Sequence, residues 1–304
     1  MKVVVGLGSV ESSVVQPILS DGIRFIENPT EQDISDAAGA IVRAAFRFDA
    51  AQFAKMPKLE VVARTGVGTE LVDLAAAAER GIPVVITPGS NTNAVAEGAI
   101  AHALHLVKRL GPLTQLVSTG DWNERTAYPV GDLENQTIGI VGFGRIGRRV
   151  AQLAEAFGMK VLAYDPFAEL PAAIKVESID ELVARADVVT LHVPLTKQTN
   201  QLVNEKLLGK FKPGAILVNC GRGSLIDLDA AHQALRSGKL GGLGLDVFDP
   251  EPPAHHPIFE HENVVLTPHV MGLSLQSTRQ TFIDAAQGVR DVLEGRTPRA
   301  TASA

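Results

Sequence analysis

Residues Thr137–Asp165, with the sequence TIGIVGFGRIGRRVAQLAEAFGMKVLAYD, contain the pattern on which the fold depends. The apolar run Ile138–Val141 is typical of a strand buried on both faces. Gly142, Gly144 and Gly147 follow at the spacing G-x-G-x-x-G, ahead of a stretch with helical periodicity and a second apolar run that ends in an aspartate. The segment therefore predicts a strand, a glycine-rich turn, a helix and a second, parallel strand.

The glycine turn and the aspartate have a shared chemical explanation. In such a motif one glycine permits the tight turn, one lets the backbone approach a pyrophosphate, and one lets the helix pack closely on the strand. The N-terminus of the helix offers N–H groups and a positive dipole end to the phosphates. Asp165 is placed to accept hydrogen bonds from the adenosine ribose, and its charge repels a 2′-phosphate. The pattern predicts a site for NAD rather than NADP; the alternative is a βαβ turn without a ligand.

Length and composition limit the class of protein. A chain of 304 residues is long for one hydrophobic core, which favours two domains. The formal net charge of −6, without a basic cluster, argues against a nucleic-acid partner. Cys220 is the single cysteine, which excludes an internal disulfide and favours a reducing cytoplasm. Because no leader peptide and no apolar run of membrane-spanning length is recognisable, we expect a cytoplasmic protein without a membrane partner.

Short apolar runs alternate with helical stretches along the whole chain, which predicts parallel α/β sheets. We expect strands at Val3–Leu7, Ile23–Ile26, Ala40–Val42, Leu59–Ala63, Pro83–Ile86, Val188–Val193, Ala215–Asn219, Gly242–Asp246 and Val264–Thr267, and early helices at Ser12–Leu19, Glu31–Ala37, Ala50–Lys55 and Leu71–Arg80.

Two longer helices are expected, the first bridging the two domains and the second belonging to the domain formed by the beginning of the chain. One runs from an N-cap at Asn93 to about Ser118, and the other from Leu275 to Leu293, followed by a frayed polar tail. The predicted division is residues 1–92 plus 274–304 and residues 93–273. His102 and His105 lie three residues apart on the first helix, where a packing or subunit-contact role is favoured over metal binding because no third ligand is in view. No metal is expected.

Three residues suited to catalysis follow strands of the second predicted sheet. Arg222 follows Asn219–Gly221, Glu251 lies between two prolines, and His269 follows Pro268. Loops at the carboxyl ends of parallel strands meet at one edge of a sheet, so the fold brings together residues that are distant in sequence. Each residue also has a structural alternative: Arg222 as a helix cap, Glu251 as a solvated loop acid and His269 as a packed loop histidine.

With these residues in place, the sequence resembles the NAD-dependent D-isomer-specific 2-hydroxyacid dehydrogenase family. The matching segments, in order, are Val42-Arg43, Arg64 to Gly68, Pro88 to Glu97, the glycine motif, Tyr164 to Pro166, His192 to Pro194, Asn219 to Gly223, Asp246 to Pro252 and Thr267 to His269. The resemblance implies two Rossmann-like or flavodoxin-like parallel-sheet domains with a cleft between them. The first would bind substrate and the second NAD, and the protein would be a homodimer.

The resemblance also implies a role for each residue of the trio. His269 would take the hydroxyl proton as hydride leaves C2, because imidazole titrates near neutrality. Glu251 would orient His269 and stabilise its imidazolium, and Arg222 would bind the substrate carboxylate through a planar guanidinium. Cofactor contacts are expected from Gly142, Gly144, Arg145, Ile146, Gly147, Asp165, Val193, Cys220, Gly221, Arg222, Asp246 and His269, and substrate contacts from Arg43, Arg64, Val67 and Gly68.

The identity of the 2-hydroxy acid stays open. Arg43 and Arg64 favour a phosphorylated substrate, as in the phosphoglycerate dehydrogenases, here expected without their regulatory domains. Leu71, Ile86 and Met271 depart from residues common in relatives, which keeps hydroxypyruvate and glyoxylate as alternatives. A non-catalytic NAD(H)-sensing protein of the corepressor kind is a further alternative, as is hydride transfer from a one-carbon or phosphorus oxyanion, against which Glu251 argues.

Overall fold

The computed structural model describes residues 1–43 and 45–302, and the chain divides into two units. Unit 1 consists of Met1–Asn91 and Leu273–Ala304, and unit 2 of Thr92–Gly272. These bounds differ by one residue from the division expected from the sequence.

The elements follow one another in an α/β alternation. The first segment of unit 1 contains β1 (Lys2–Leu7), α1 (Ser12–Val15), β2 (Ile23–Ile26), α2 (Glu31–Asp36), β3 (Gly39–Val42), α3 (Ala50–Ala54), β4 (Val61–Arg64), α4 (Leu74–Glu79) and β5 (Val84–Val85). Unit 2 contains α5 (Thr92–Val107), α6 (Leu110–Thr119), β6 (Thr137–Val141), α7 (Arg145–Ala156), β7 (Lys160–Tyr164), α8 (Ile179–Arg185), β8 (Val188–Leu191), α9 (Glu205–Leu208), β9 (Ala215–Asn219), α10 (Leu228–Arg236), β10 (Leu240–Leu245) and β11 (Val264–Leu266). The second segment of unit 1 adds α11 (Leu275–Leu293) and β12 (Thr301–Ala302).

The sheet of unit 1 has the strand order β12-β5-β4-β3-β1-β2 and is parallel except for β12. Phe282 and Val289 of α11 are buried in one core cluster with Val4 and Ile41 from the sheet. The expectation of a frayed tail is wrong, because Thr301–Ala302 pairs antiparallel with β5. Backbone hydrogen bonds to an otherwise open strand edge order this part of the tail.

The sheet of unit 2 is parallel throughout, with the order β11-β10-β9-β8-β6-β7. Apolar residues on its two faces belong to two separate core clusters, as a strand set covered by helices on both sides requires. The order reverses between β6 and β8, and ligands of open α/β sheets bind at such a switch point beyond the carboxyl ends of the strands. The expectation of two parallel-sheet α/β domains is confirmed.

The expected long helix from Asn93 to Ser118 is wrong in two respects. The helix begins at Thr92, so Asn93 lies in its first turn, and it ends at Val107 before a second helix begins at Leu110. Arg109 between them has the left-handed φ of 53°. Pro112, three residues beyond, cannot donate a hydrogen bond to Lys108 and would crowd its carbonyl in a continuous helix. The proline therefore explains the break.

Several other bounds differ from the expected ones, with one consequence for the site. Helix α4 begins at Leu74 rather than Leu71, because Asp73 accepts a hydrogen bond from the backbone N–H of Ala76 as its N-cap. Strand β8 ends at Leu191 rather than Val193, and β10 and β11 end one residue earlier than expected. Val193, Asp246 and His269 therefore lie in loops beyond the ends of β8, β10 and β11. Among the described residues, no helix has both the length and the apolarity needed to cross a membrane.

Candidate active site

The glycine-rich turn after β6 has different steric requirements at its three glycines. Gly142 has a φ of +94°, and a Cβ there would lie 2.6 Å from the carbonyl oxygen of His192. A Cβ at Gly147 would lie 2.1 Å from the carbonyl oxygen of Gly142. A Cβ at Gly144 would meet no atom of residues 1–43 and 45–302 within 4 Å. Two glycines are thus required by the fold itself, while the third leaves open space at the N-terminus of α7, the position at which such motifs bind a pyrophosphate.

Asp165 lies beside this turn, at the end of β7. Its Oδ2 accepts a hydrogen bond of 2.8 Å from the backbone N–H of Phe143, inside the glycine motif. Its Oδ1 accepts hydrogen bonds from the backbone N–H groups of Phe167 and Ala168 at 2.9 and 3.1 Å. The carboxylate therefore ties the turn after β6 to the turn after β7. This arrangement keeps an acidic group at the place where the motif puts the ribose.

Four more of the expected cofactor contacts lie just beyond the ends of β6, β8 and β9. Arg145 and Ile146 form the first turn of α7, where Arg145 is exposed and Ile146 is half-buried. Val193 follows β8, and its side chain borders the position of the turn at Gly142. Gly221 follows β9 and donates its N–H to the side-chain oxygen of Asn219 at 2.9 Å. These donors and apolar side chains suit the phosphates and rings of a dinucleotide.

His269 and Glu251 are in direct contact although they are distant in the sequence. The Nδ1 of His269 lies 2.7 Å from Oε2 of Glu251, and both side chains are partly exposed. The other carboxylate oxygen, Oε1, accepts a hydrogen bond of 3.0 Å from the N–H of Phe248. Because an ionised carboxylate only accepts, the proton of this contact lies on Nδ1 of His269. The imidazole therefore presents Nε2 for proton exchange.

The loop that carries Arg222 packs against the loop that carries Glu251. A Cβ at Gly223 would lie 2.1 Å from the carbonyl carbon of Phe248, so only glycine allows the two backbones this close together. Asn219, which is fully buried, braces the same turn by donating to the carbonyl oxygen of Arg222 at 2.8 Å. The Nη1 of Arg222 donates to the carbonyl oxygen of Gly221 at 2.8 Å. The structure thus joins His269 to Glu251 by a side-chain contact, and Arg222 to Glu251 through adjoining backbones.

Asp246 accepts hydrogen bonds from three residues of the loop that carries His269. This buried carboxylate follows β10, and its Oδ1 accepts from the hydroxyl of Thr267 at 2.6 Å and from the N–H of Val270 at 2.9 Å. Its Oδ2 accepts from the N–H of Met271 at 3.1 Å. His269 itself has a φ of 53°, a left-handed conformation that costs a residue other than glycine about 1 kcal/mol or more. The bonds to Asp246 on both sides of His269 stabilise this conformation.

The expected substrate residues belong to unit 1, at the carboxyl ends of its strands. Arg64 is the last residue of β4 and is buried, with Nη1 donating to the carbonyl oxygen of Thr65 at 3.2 Å. The guanidinium of Arg43 stacks over the ring of Phe282 at 5.3 Å, and burial lowers the pKa of Arg43. Val67 is exposed, and Gly68 follows it in the turn after β4.

Comparison with known proteins agrees with this arrangement of unit 2. Residues 100–271 match the family model for the D-isomer specific 2-hydroxyacid dehydrogenase, NAD binding domain. The matched segment is more than half of the chain. The chain belongs to this family. NAD is the cofactor for which its second unit is built, and the family expected from the sequence is confirmed.

Individual relatives cover almost the whole chain. The D-3-phosphoglycerate dehydrogenase of Mycobacterium leprae is 38% identical over 281 residues, which are 90% of this chain and 53% of that protein. The chain therefore spans about half the length of such curated relatives. The structure of the TT0316 protein from Thermus thermophilus is 34% identical, with a TM-score of 0.85 and coverage of 99% and 100% of the two chains. That of D-lactate dehydrogenase from Aquifex aeolicus complexed with NAD and lactic acid is 30% identical, with a TM-score of 0.79 over 97% and 96%.

Thr267 and His102 also take part in the hydrogen bonds around Glu251 and His269. Thr267 bonds to Asp246, and its Oγ1 also lies 3.2 Å from Nε2 of His102 on α5. The position of Thr267 directly before Pro268-His269 could have indicated from the sequence that it belongs to the site. Nothing in the sequence of α5 indicates that His102 contacts the end of a strand in the same unit. Among residues 1–43 and 45–302, no group of three or more His, Cys, Asp and Glu side chains is arranged to hold a metal.

Two further buried groups border the site. Burial raises the pKa of the Cys220 thiol to about 12, with a smaller contribution from the negative charge of Asp246. Burial also lowers the pKa of His192 to about 4. Nε2 of His192 lies 2.9 Å from the hydroxyl of Thr190, on the same strand end. Both groups are therefore uncharged at neutral pH, and neither adds a charge to the cofactor site.

Proposed function

We propose that the protein is an NAD-dependent D-2-hydroxyacid dehydrogenase that transfers hydride between nicotinamide and C2 of a small 2-hydroxy or 2-oxo acid. The observation that carries the proposal is the 2.7 Å contact between His269 and Glu251. The contact lies in the unit that matches the NAD-binding domain of the family, where the turn that carries Arg222 packs against the loop that carries Glu251. An imidazole held by a carboxylate, with a guanidinium carried on the adjoining loop, supplies the acid–base and anion-binding groups that this reaction needs.

Each residue of the trio has a distinct part in the proposed reaction. NAD, when bound, provides the hydride acceptor. His269 removes the proton of the C2 hydroxyl through Nε2 and returns it when the reaction runs in the reducing direction. Glu251 fixes the tautomer of His269 and balances the positive charge that the imidazole gains. Arg222 binds the substrate carboxylate and polarises the oxygen on C2.

The expected residues around the glycine motif would hold the cofactor. Backbone N–H groups at the start of α7 would bind the pyrophosphate at the open position of Gly144, and Arg145 would add a positive charge. Asp165 would accept hydrogen bonds from the ribose hydroxyls while keeping its bonds to the neighbouring turns. Asp246, Cys220, Gly221 and Val193 would lie on the nicotinamide side.

The proposed substrate class is 3-phosphoglycerate and similar acids, bound from unit 1 by Arg43, Arg64 and the turn at Val67 and Gly68. The support is the two guanidinium groups at strand ends and the similarity to the phosphoglycerate dehydrogenase of Mycobacterium leprae. Hydroxypyruvate or glyoxylate is the alternative substrate, and the similarity to a D-lactate dehydrogenase structure favours such a small unphosphorylated acid.

A screen of 2-oxo acids with NADH tests both proposals. We expect NADH oxidation with at least one acid and its loss in Arg222→Ala, and we expect 3-phosphohydroxypyruvate to be preferred over hydroxypyruvate. If Arg64→Ala leaves that preference unchanged, the phosphate-binding role is wrong. NADH binding without turnover on any acid would instead support a non-catalytic NADH-sensing protein.

We also propose a homodimer in the cytoplasm. The apolar side chains of Leu110, Val117, Trp122 and Val130 are exposed on and after α6, which is the part of the chain that the family resemblance places at the subunit contact. The single cysteine suits a reducing compartment. Light scattering on Val117→Glu tests the dimer, since a charge at this contact should release monomers.

A further inference from the structure

The loop from Thr267 to Met271 is fastened to a single carboxylate. Asp246 accepts one hydroxyl and two backbone N–H groups from it, and His269 lies between these bonds. The direction in which the carboxylate faces therefore sets the position of the His269 backbone.

The hydrogen-bond donors of this network can be assigned by counting protons. Thr267 has one hydroxyl proton, which it donates to Asp246 over 2.6 Å, because an ionised carboxylate has none to give. The contact of 3.2 Å between Thr267 and Nε2 of His102 then leaves Thr267 as the acceptor. His102 must donate from Nε2. The chain of donors runs from His102 through Thr267 to Asp246.

The remaining nitrogen of His102 agrees with this assignment. Nδ1 is buried, and in the part of the chain that the structure describes it has no hydrogen-bond partner. Burial lowers the pKa of His102. The negative charge of Asp246 raises this pKa by a smaller amount, and His105 lowers it further. Cys220, which also lies near Asp246, is uncharged. A neutral imidazole with its proton on Nε2 and a bare Nδ1 satisfies all of these conditions.

The same face of α5 holds the other end of the loop. Gly98 lies one helical turn before His102, so both residues present to the same side. A Cβ at Gly98 would lie 2.5 Å from Sδ and 2.7 Å from Cβ of Met271, so the side chain of Met271 occupies the space that this glycine leaves. Helix α5 thus contacts the His269 loop at two points, Thr267 and Met271.

We infer that His102 is a positioning residue for hydride transfer: it donates to Thr267, Thr267 orients Asp246, and Asp246 holds the loop that presents His269. This inference rests on the proposed dehydrogenase function and adds a residue of α5 to it. His102 touches neither substrate nor cofactor in this scheme and acts only through Thr267.

Three variants test the inference by steady-state kinetics with NADH and the best 2-oxo acid. His102→Leu removes the donor, and we expect kcat to fall about fivefold, the effect of one hydrogen bond, with KM and the Kd of NADH within about twofold. His102→Gln keeps a side-chain N–H and is expected to recover most of kcat. His105→Leu, one turn away on the same helix and without a bond to Thr267, is the matched control and should retain kcat.

A double-mutant cycle tests the coupling of His102 to Thr267, and a measurement on the wild-type protein keeps the test independent of folding losses in the variants. Thr267→Val removes the hydroxyl in the middle of the same series of hydrogen bonds. Adding His102→Leu to Thr267→Val should therefore lower kcat no further. ¹⁵N NMR of the histidines in the wild-type protein at neutral pH should show His102 as the neutral Nε2–H tautomer.

The outcomes separate this inference from the function on which it rests. A wild-type protein that oxidises NADH with no 2-oxo acid overturns the proposed function. An active wild type in which His102→Leu retains full kcat, in which the two substitutions reduce kcat independently, or in which His102 carries its proton on Nδ1 overturns the inference alone.

Discussion

Replacing Glu251 with glutamine probes the contact on which the proposed chemistry depends. The carboxylate serves two donors, Nδ1 of His269 at 2.7 Å and the N–H of Phe248 at 3.0 Å. A glutamine amide has only one oxygen, so it can accept from one donor at this place while its NH₂ group faces the other. If the oxygen stays with Phe248, the NH₂ group forces Nδ1 to become an acceptor and moves the imidazole proton to Nε2.

The expected loss follows from the bond and its exposure. A hydrogen bond to a charged group contributes about 1.5–3 kcal/mol, and we take the lower end because the side chains of His269 and Glu251 are 51% and 38% exposed to solvent that screens the charge. About 1.5 kcal/mol corresponds to roughly a tenfold lower kcat in Glu251→Gln. NADH affinity should change little, since the adenosine and phosphate contacts are untouched.

The chain offers a matched control for this substitution. Glu260 lies 2.9 Å from Nε2 of His255, an exposed carboxylate–imidazole pair near the Glu251 loop but outside the trio. We expect Glu260→Gln to keep wild-type kcat in the same NADH oxidation assay. The reasoning is refuted if Glu251→Gln stays within twofold of wild type, or if both substitutions lower kcat equally.

Four further expectations concern the surroundings of the site. Asp165→Ala should weaken NADH binding and reduce the preference of the protein for NADH over NADPH, as fluorescence competition can measure. A stronger preference for NADH would contradict the role of this carboxylate. The pKa of His192 is about 4 in the folded protein and 6.5 ordinarily, so between these pH values the unfolded chain binds a proton that the folded protein does not. The free energy of unfolding therefore decreases as the pH falls through this range, by up to about 3 kcal/mol. Urea unfolding at pH 7 and pH 5 should show a smaller acid loss in His192→Gln, and an equal loss would exclude this origin. Cys220, buried and with a pKa of about 12, should react with iodoacetamide only in denaturant, as mass spectrometry can show; labelling of the native protein would disprove its burial. Gly98→Ala should lower kcat by displacing Met271, and Met271→Ala should restore it in the double variant; a Gly98→Ala enzyme of full activity would show that the loop tolerates the shift.

The order of elements was predictable because local patterns encode it. Apolar runs set the strands of both sheets, and α11 has the bounds expected from its periodicity. The break between α5 and α6 was not predicted, because the apolar spacing continues across it and only Pro112 marks it in the sequence. The pairing of Thr301–Ala302 with β5 depends on a distant strand edge, which no local pattern reports.

The site was predictable as a set of residues but not as a geometry. The glycine spacing and the strand-end positions of Glu251 and His269 were readable from the sequence. The dual use of Glu251, which also accepts from Phe248, depends on loop conformations after β10. The bond of His102 to Thr267 depends on how α5 crosses the sheet, since the two residues are far apart in the chain. Tertiary packing decides such contacts, and a single sequence does not record it.

The two-segment construction of unit 1 has a consequence for biosynthesis. Residues 1–91 leave the ribosome first, but α11, which buries Phe282 and Val289 against Val4 and Ile41, is translated only after all of unit 2. Unit 2 is one continuous stretch and can complete its core earlier. The nascent first sheet therefore keeps the apolar face that α11 covers exposed until α11 has been synthesised.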